Sequence, residues 1–148
     1  MEYINTNLPR DAKVLFVGET RSFYCKRRHI VTSVHDIHPI VKWARSSSNA
    51  EELQQKIISE GISHIFLNLA EAMRISSSYK LFQWDEKSID VFNSWWRKYV
   101  QLIWKDINTE PQHYRLLFVY KVIPDTKSSA LPETHNYLND LYLRDFKK

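Results

Sequence analysis

The chain has 148 residues, a length that suits one domain and leaves no room for a second full one. Its net charge of +4 is a mild excess and it contains a single cysteine, so a disulfide scaffold, a cysteine-based zinc site and a strongly basic nucleic-acid-binding protein are excluded. The only glycines are Gly18 and Gly61, which excludes the glycine-rich phosphate loops of dinucleotide-binding and P-loop proteins.

The first third of the chain predicts two strands and a short helix. Residues 12–17 form an apolar run that ends at Gly18, a pattern typical of a strand buried on both faces. Residues 29–34 contain several β-branched side chains and predict a second strand. Residues 18–28 then connect the two strands, and we expect a short helix within residues 36–47.

The region from residue 48 to residue 69 indicates the fold class. Ser48 and Glu51 stand three residues apart and predict a capping box at the start of a helix. Gly61 is expected to end that helix in the left-handed conformation. Residues 62–69 are apolar and β-branched, as in a central strand. A helix that leads directly into a buried strand predicts an α/β domain.

The second half predicts one long helix and a last strand. Residues 70–75 favour a helical turn, followed by a loop of serines at residues 76–78. The long helix is expected to begin at Asp85, where negative charge is favourable with the helix dipole. Residues 114–123 predict a strand that Pro124 ends. The apolar stripe of the long helix recurs at spacings of three and four: Ile89, Phe92, Trp96, Tyr99, Val100 and Ile103.

These elements predict a single, three-layer-like α/β domain over residues 1–124, with a mixed sheet of about four strands flanked by helices. Residues 125–148 are expected to be a linker and a C-terminal helix that packs on the same domain. That helix could equally exchange with a second copy to form a homodimer. No cofactor is expected.

The loop after the first strand is the best candidate for a ligand site. Gly18, Glu19, Arg21 and Tyr24 follow the carboxyl end of that strand, the edge at which open α/β sheets most often bind ligands. Arg21 could hold an anionic group with two hydrogen bonds, and Tyr24 offers a flat ring and a hydroxyl. The alternative is a surface ion pair between Arg21 and Glu19, with Tyr24 packed on the sheet edge.

Two other polar clusters are weaker candidates. His35, Asp36 and His38 are potential metal ligands, but a fourth ligand at a familiar spacing is missing, and we expect solvated loop residues and no metal site. The cations at residues 26–28 could contact nucleic acid or anionic lipid. Three charges are few, so a solvated loop is favoured and no nucleic-acid partner is expected.

The tryptophans on and beside the long helix raise the question of a contact surface. Trp96 lies on the core stripe. Trp95 and Tyr99 belong to a neighbouring stripe that could be exposed, which makes them candidates for contact with a partner. No serine–histidine–aspartate order and no close pair of carboxylates stands out, so no catalytic residue is assigned.

Several segments together resemble the soluble carboxyl-terminal domain of bacterial multi-spanning GT-C-type (dolichyl-phosphate-mannose-mannosyltransferase-like) membrane glycosyltransferases. The similarity covers most of residues 8–123 and includes an entry strand, an Arg and a Tyr after it, and a helix-to-strand join at residues 57–65. The segments are LPRDAKVLFVGETRSFYCKR, HIVTS, NAEELQQKIISEGISHIFLN and LLFVYKVI.

The resemblance implies a non-catalytic accessory domain on the extracytoplasmic side of the bacterial cytoplasmic membrane. Its parent protein would transfer sugars from polyprenyl-phosphate carriers, and membrane helices would precede Met1. The domain would support or recognise an acceptor or partner, and it would face the membrane part of its parent or an anionic membrane surface. The alternatives are a free-standing, cytoplasmic ligand-binding or protein-interaction domain, and a small enzyme acting at Glu19, Arg21 and His35.

Overall fold

The computed structural model describes residues 1–124 and 135–140 and shows an α/β fold with a five-stranded mixed sheet. No helix among these residues is long and apolar enough to cross a membrane. The strands are β1 (Lys13–Val17), β2 (Arg28–Ile30), β3 (His64–Asn68), β4 (Val100–Asn108) and β5 (Arg115–Val122). The helices are α1 (Glu2–Asn7), α2 (Pro39–Arg45), α3 (Ala50–Ser59), α4 (Leu69–Ser78) and α5 (Glu86–Tyr99).

The strands lie in the order β2-β1-β3-β5-β4. β1 runs parallel to β2 and to β3, with Leu15 opposite Ile65, whereas β5 runs antiparallel to both β3 and β4. The carboxyl ends of β1 and β3 therefore lie at the same edge as the beginning of β5. Asn68 at the end of β3 pairs with Leu117 near the beginning of β5, which brings distant parts of the chain together at this edge.

The two faces of the sheet are covered differently. Side chains that alternate along β1 divide between them: Leu15 and Val17 join the core under α2 to α5, and Val14 and Phe16 point to the opposite face. That second face is covered by α1 through Ile4 and Leu8, together with partly buried side chains of β4 and β5. Since α1 is only six residues long, it covers only part of this face.

The helix α3 begins one residue later than predicted, so the capping box at Ser48 and Glu51 is wrong. Asn49 is the N-cap, and its side chain accepts a hydrogen bond from the Glu52 N–H at 2.9 Å. The Glu52 carboxylate accepts one from the Ser48 N–H at 2.7 Å. Gly61 follows the helix with φ +74°, as predicted, and four of the five residues of the next strand, β3, are buried.

The long helix is shorter than its apolar periodicity suggests. α5 ends at Tyr99, and β4 begins at Val100 without an intervening loop. Val100 and Ile103 therefore belong to a strand, which accounts for the fifth strand that the sequence did not predict. α4 likewise continues to Ser78, so the predicted serine loop is wrong.

The predicted contact stripe on α5 is also wrong. Trp95 is completely buried and Tyr99 nearly so, because α5 packs against both α3 and the sheet. The Trp95 Nε1–H donates to the Gln54 Oε1 at 2.7 Å, and Gln54 donates in turn to the Ile123 carbonyl at 2.7 Å. Both aromatic residues are core residues of this domain and do not offer a surface to a partner.

Residues 135–140 contact α5. Asn93 exchanges side-chain hydrogen bonds with Asn139 and Asn136, each 2.8 Å long, and Leu138 is buried in the helical core. The Tyr137 ring lies on Phe118, with centroids 4.6 Å apart. Of the linker and C-terminal helix predicted over residues 125–148, all but residues 135–140 lie outside the described residues.

Candidate functional site

A cleft of about 400 Å³ lies at the carboxyl ends of β1 and β3. Three of the residues predicted from the sequence, Glu19, Arg21 and Tyr24, line it. Its other side comes from the turn before β5 and from that strand, through Tyr114, Arg115 and Leu117. The position matches the edge at which open α/β sheets bind ligands, and the antiparallel β5 supplies one wall of the cleft.

Gly18, the fourth predicted residue, allows the loop after β1 to lie close to the end of β3 and the start of α4. It has φ +72°, and a Cβ at this position would lie 2.4 Å from the Asn68 carbonyl oxygen and 2.7 Å from the Ala72 Cβ. A side chain would therefore collide with the end of β3 and the first turns of α4. Because glycine has no side chain, the chain can leave β1 directly beside the N-terminus of α4.

Glu19 and Arg21 form a closely bonded pair. The Glu19 Oε1 accepts hydrogen bonds from the Arg21 backbone N–H and from its Nε–H, both at 2.9 Å, and Oε2 accepts from Nη2 at 3.1 Å. The Glu19 side chain is 10% exposed, whereas that of Arg21 is 75% exposed. The buried carboxylate thus fixes one side of the guanidinium and leaves the rest of it facing solvent.

The pair is tied to α4 through Asn68. This residue is the N-cap of α4, and its Oδ1 accepts from the Glu71 N–H at 3.2 Å while its Nδ2 donates to the Glu19 Oε2 at 3.3 Å. Burial acts to raise the pKa of Glu19, but the hydrogen bonds and charge of Arg21, with the Asn68 amide, outweigh it and lower the pKa below its ordinary value. Glu19 is therefore an ionised, hydrogen-bonded carboxylate.

The opposite wall repeats the same chemistry. The Arg115 Nε donates to the Asp106 Oδ2 at 3.1 Å, so a second guanidinium is oriented by a second carboxylate. Tyr114 is half exposed, and the cleft floor is apolar, with the buried Phe66 beside Leu117. Each arginine at the cleft carries its own carboxylate, so the charges of the two pairs cancel.

The surface continues from this cleft along the second face of the sheet. A neighbouring groove of about 510 Å³ shares Arg115 and Leu117 with it. Within this groove the Tyr3 ring stacks on the Trp104 indole, with centroids 4.8 Å apart and planes 14° from parallel. One stacked aromatic pair therefore lies in the groove between α1 and the β4–β5 pair.

The alternative to a ligand site had Tyr24 packed on the sheet edge, and the structure does not show this packing. Tyr24 is 81% exposed and lines the cleft at its outer rim. The ion pair between Arg21 and Glu19, the other half of that alternative, is present. The structure thus keeps the pair and leaves the ring accessible.

The histidine cluster separates into different environments. His38 is the N-cap of α2 and fully buried, and its Nε2 lies 2.9 Å from the Phe16 carbonyl oxygen while its Nδ1 accepts from the Ile40 N–H at 3.3 Å. Both of its ring nitrogens are used within the protein. The His35 ring packs edge-on against Tyr79 and does not line the cleft, so the three groups of the enzyme hypothesis are not assembled there.

The cations at residues 26–28 also have separate roles. The Arg27 guanidinium donates to the Leu8 carbonyl at 2.7 Å and to the Asn5 carbonyl at 2.8 Å, so it ties the loop to α1. Arg28 donates to the Asp11 carbonyl at 3.1 Å. Within the described residues, no group of three or more His, Cys, Asp or Glu side chains is placed to hold a metal ion.

Sequence reasoning missed Asn68, Tyr114 and Arg115. Asn68 follows an apolar strand, and a polar N-cap type at that point is a signal that could have been used. Tyr114 and Arg115 precede the last strand, and their place in the cleft depends on β5 lying antiparallel beside β3. That arrangement is not visible in the local pattern of residues.

Comparisons of the chain with protein-family models, curated proteins and solved structures found no match. The resemblance to membrane glycosyltransferases stays a prediction from the sequence.

Proposed function

We propose that this domain is a recognition module that binds a sugar-containing ligand in the cleft between Glu19–Arg21 and Tyr114–Arg115. The observation that carries the proposal is the combination, in one cleft, of two guanidiniums that are each oriented by a carboxylate with accessible tyrosine rings. The guanidiniums offer fixed donors whose charge is balanced by their carboxylates, and the tyrosine hydroxyls both donate and accept. Hydroxyl groups both donate and accept hydrogen bonds, so a polyhydroxylated ligand suits this set better than a free anion does.

The aromatic residues support the same class of ligand. Tyr24 and Tyr114 present apolar ring faces together with hydroxyl groups, as is common where a ligand has apolar and polar surfaces. The apolar floor at Phe66 and Leu117 would lie under the C–H face of a sugar ring. Polar side chains from the rim would then reach its hydroxyls.

The state of Glu19 favours binding over acid–base catalysis at this cleft. A general acid at neutral pH needs a raised pKa, whereas the pKa of Glu19 is lowered by its bonded neighbours. Its two oxygens already accept four hydrogen bonds, from three groups of Arg21 and from Asn68. A carboxylate in this state orients a guanidinium rather than transferring a proton.

We also propose, on the sequence resemblance alone, that the module serves a membrane glycosyltransferase-like parent protein as an accessory domain that recognises an acceptor. Sugar binding by the cleft would suit that role. It would equally suit a free-standing binding protein, and the two differ in whether membrane-spanning segments are encoded in the same reading frame.

The binding proposal can be tested by NMR on the ¹⁵N-labelled chain. Mannose, glucose and N-acetylglucosamine are titrated separately, and inorganic phosphate is titrated as a further arm. We expect at least one sugar to shift the backbone amides of residues 18–24, 68 and 114–117, with phosphate leaving them unchanged. A Tyr114→Ala variant should bind that sugar about tenfold more weakly, because it loses one ring face of the cleft.

The matched control is Tyr79→Ala, which removes an exposed tyrosine that does not line the cleft. It should bind the sugar as the unmodified chain does. No shift with any of the sugars, shifts confined to another surface, or shifts with phosphate alone would each overturn the proposal.

A further inference from the structure

The loop beside the cleft ends in a tight turn that carries two aromatic side chains at its tip. The Cys25 N–H donates to the Ser22 carbonyl at 2.9 Å, so Phe23 and Tyr24 occupy the two central positions of a β-turn. Phe23 is 92% exposed and Tyr24 is 81% exposed. Glycine, asparagine and proline are the usual residues at turns, so two adjacent aromatic rings here are not explained by turn geometry.

The turn is held in place from α1. The Asn5 Nδ2 donates to the Tyr24 carbonyl, and the Asn5 Oδ1 accepts from the Lys26 N–H, each at 2.7 Å. Arg27 adds its hydrogen bonds to the carbonyls of Asn5 and Leu8. The backbone on both sides of Cys25 is thus held by Asn5, and the Phe23 ring projects away from the domain instead of folding back onto it.

Exposed positive charge lies on the carboxyl side of the turn. Residues 20–28 contain four cations and no carboxylate. Arg27 is used internally and the charge of Arg21 is balanced by Glu19, whereas Lys26 and Arg28 are exposed on the carboxyl side of the aromatic pair. Glu19, the nearest acidic residue before the turn, is largely buried and paired with Arg21.

We propose that the turn of residues 22–25 docks this domain on an anionic lipid bilayer. Phe23 would enter the boundary between headgroups and acyl chains, the Tyr24 ring would lie at headgroup level, and Lys26 and Arg28 would contact anionic headgroups. A rigid apolar tip bordered by cations matches an anionic interface in both polarity and charge.

The size of the patch favours a bilayer over a protein partner. A stable protein interface usually removes about 800 Å² from each partner and has an apolar centre of several side chains. Here the turn itself exposes only two apolar side chains, with charged and polar neighbours, and the half-exposed Tyr114 lies across the cleft from Tyr24. Such a tip is small for a protein interface and sufficient for partial insertion into a bilayer interface.

This inference does not depend on the proposed sugar site. Phe23 and Lys26 do not line the cleft, although Arg21 and Tyr24 are shared with it. Substitution of the first two therefore tests lipid docking alone.

The test is sedimentation of the purified chain with vesicles of pure phosphatidylcholine, and of phosphatidylcholine with about 30% phosphatidylglycerol, near 0.1 M salt, where exposed charges still act over about 10 Å. We expect clear binding to the anionic vesicles and weak binding to the neutral ones. Phe23→Ala should lower the partition coefficient about tenfold. Lys26→Ser should lower it about fivefold on anionic vesicles and leave the neutral ones unchanged.

Ile58→Ala provides the matched control, because Ile58 is an exposed apolar residue on α3, away from the turn. It should bind vesicles as the unmodified chain does. In a Phe23→Trp variant, brominated lipids should quench a new component of the emission. The proposal fails if the unmodified chain does not bind anionic vesicles, if Phe23→Ala binds as well as it does, or if Ile58→Ala lowers binding equally.

Discussion

Replacement of Gly18 by alanine should destabilise the fold and disturb the candidate site at once. The residue has φ +72°, a conformation that costs an L-residue about 1–2 kcal/mol. The added Cβ would also lie 2.4 Å from the Asn68 carbonyl oxygen and 2.7 Å from both the Ala72 N and Cβ. Since backbone atoms are involved, relief requires the end of β3 to separate from the loop after β1.

Gly61 offers a matched control for the magnitude. It has nearly the same φ, +74°, but a Cβ there would meet only the Lys13 Cδ, at an ordinary 3.8 Å. Gly61→Ala should therefore cost only the conformational strain, about 1–2 kcal/mol. Gly18→Ala should add an overpacking cost of about 1–3 kcal/mol, for a total of about 2–5 kcal/mol.

Urea unfolding followed by tryptophan fluorescence measures both variants, because Trp95 and Trp96 are buried beside the sheet. We expect Gly18→Ala to have the lower midpoint and to shift the NMR signals of Asn68 and Glu71. A free energy of unfolding equal to that of Gly61→Ala would refute the argument that close approach, and not backbone conformation alone, requires glycine at position 18.

Three further predictions concern buried polar groups. Burial lowers the pKa of His38 to about 4, against a smaller opposite effect of the Phe16 carbonyl, so the unfolded chain binds a proton more readily and stability should fall as pH drops from about 6.5 to 4. The variant His38→Asn keeps an N-cap side chain, and urea unfolding at several pH values should show its free energy of unfolding falling less steeply, by up to about 1.4 kcal/mol per pH unit. An unchanged pH dependence would assign the loss of stability to other groups. Gln54→Leu should lower the free energy of unfolding by about 1–3 kcal/mol, because the Trp95 indole N–H loses its acceptor. The loss should be smaller in a chain that already carries Trp95→Phe, and additive losses in that double-mutant cycle would count against the hydrogen bond. The buried Tyr120 hydroxyl has no hydrogen-bond partner among the described residues, so Tyr120→Phe should leave the thermal midpoint unchanged or raise it, and a clear decrease would indicate a partner for that hydroxyl.

The sequence predicted the fold class because its strongest signals are local. The apolar run that becomes β1, the helix that ends at Gly61 and the alternating residues of β5 each contain their own start or stop. The helix-to-strand change at Val100 could not be found in this way. Apolar residues at Val100 and Ile103 continue the helical spacing of α5, and tertiary pairing of β4 with β5, not local propensity, makes them a strand.

The same distinction applies to the candidate site. Glu19, Arg21 and Tyr24 were predicted because they follow the carboxyl end of one strand, a position that local patterns reveal. Tyr114 and Arg115 could not be predicted, because their location depends on strand order. The error at Trp95 has a related cause: the stripe beside the core face of α5 looked free, but α3 packs on it, and a contact between two helices is not encoded in either one alone.

The loop after β1 lines the cleft and also carries the turn, but different hydrogen bonds hold these two parts of it in place. Glu19 and Asn68 orient Arg21 toward the cleft, whereas Asn5 on α1 holds the turn by the backbone of Tyr24 and Lys26. Loss of the Asn5 amide should therefore loosen the turn without releasing the Glu19–Arg21 pair. Conversely, loss of the Glu19 carboxylate should free Arg21 while the turn keeps its hydrogen bonds to α1. Because these supports lie on different elements, sugar recognition and lipid docking can be separated experimentally even though Arg21 and Tyr24 lie between them.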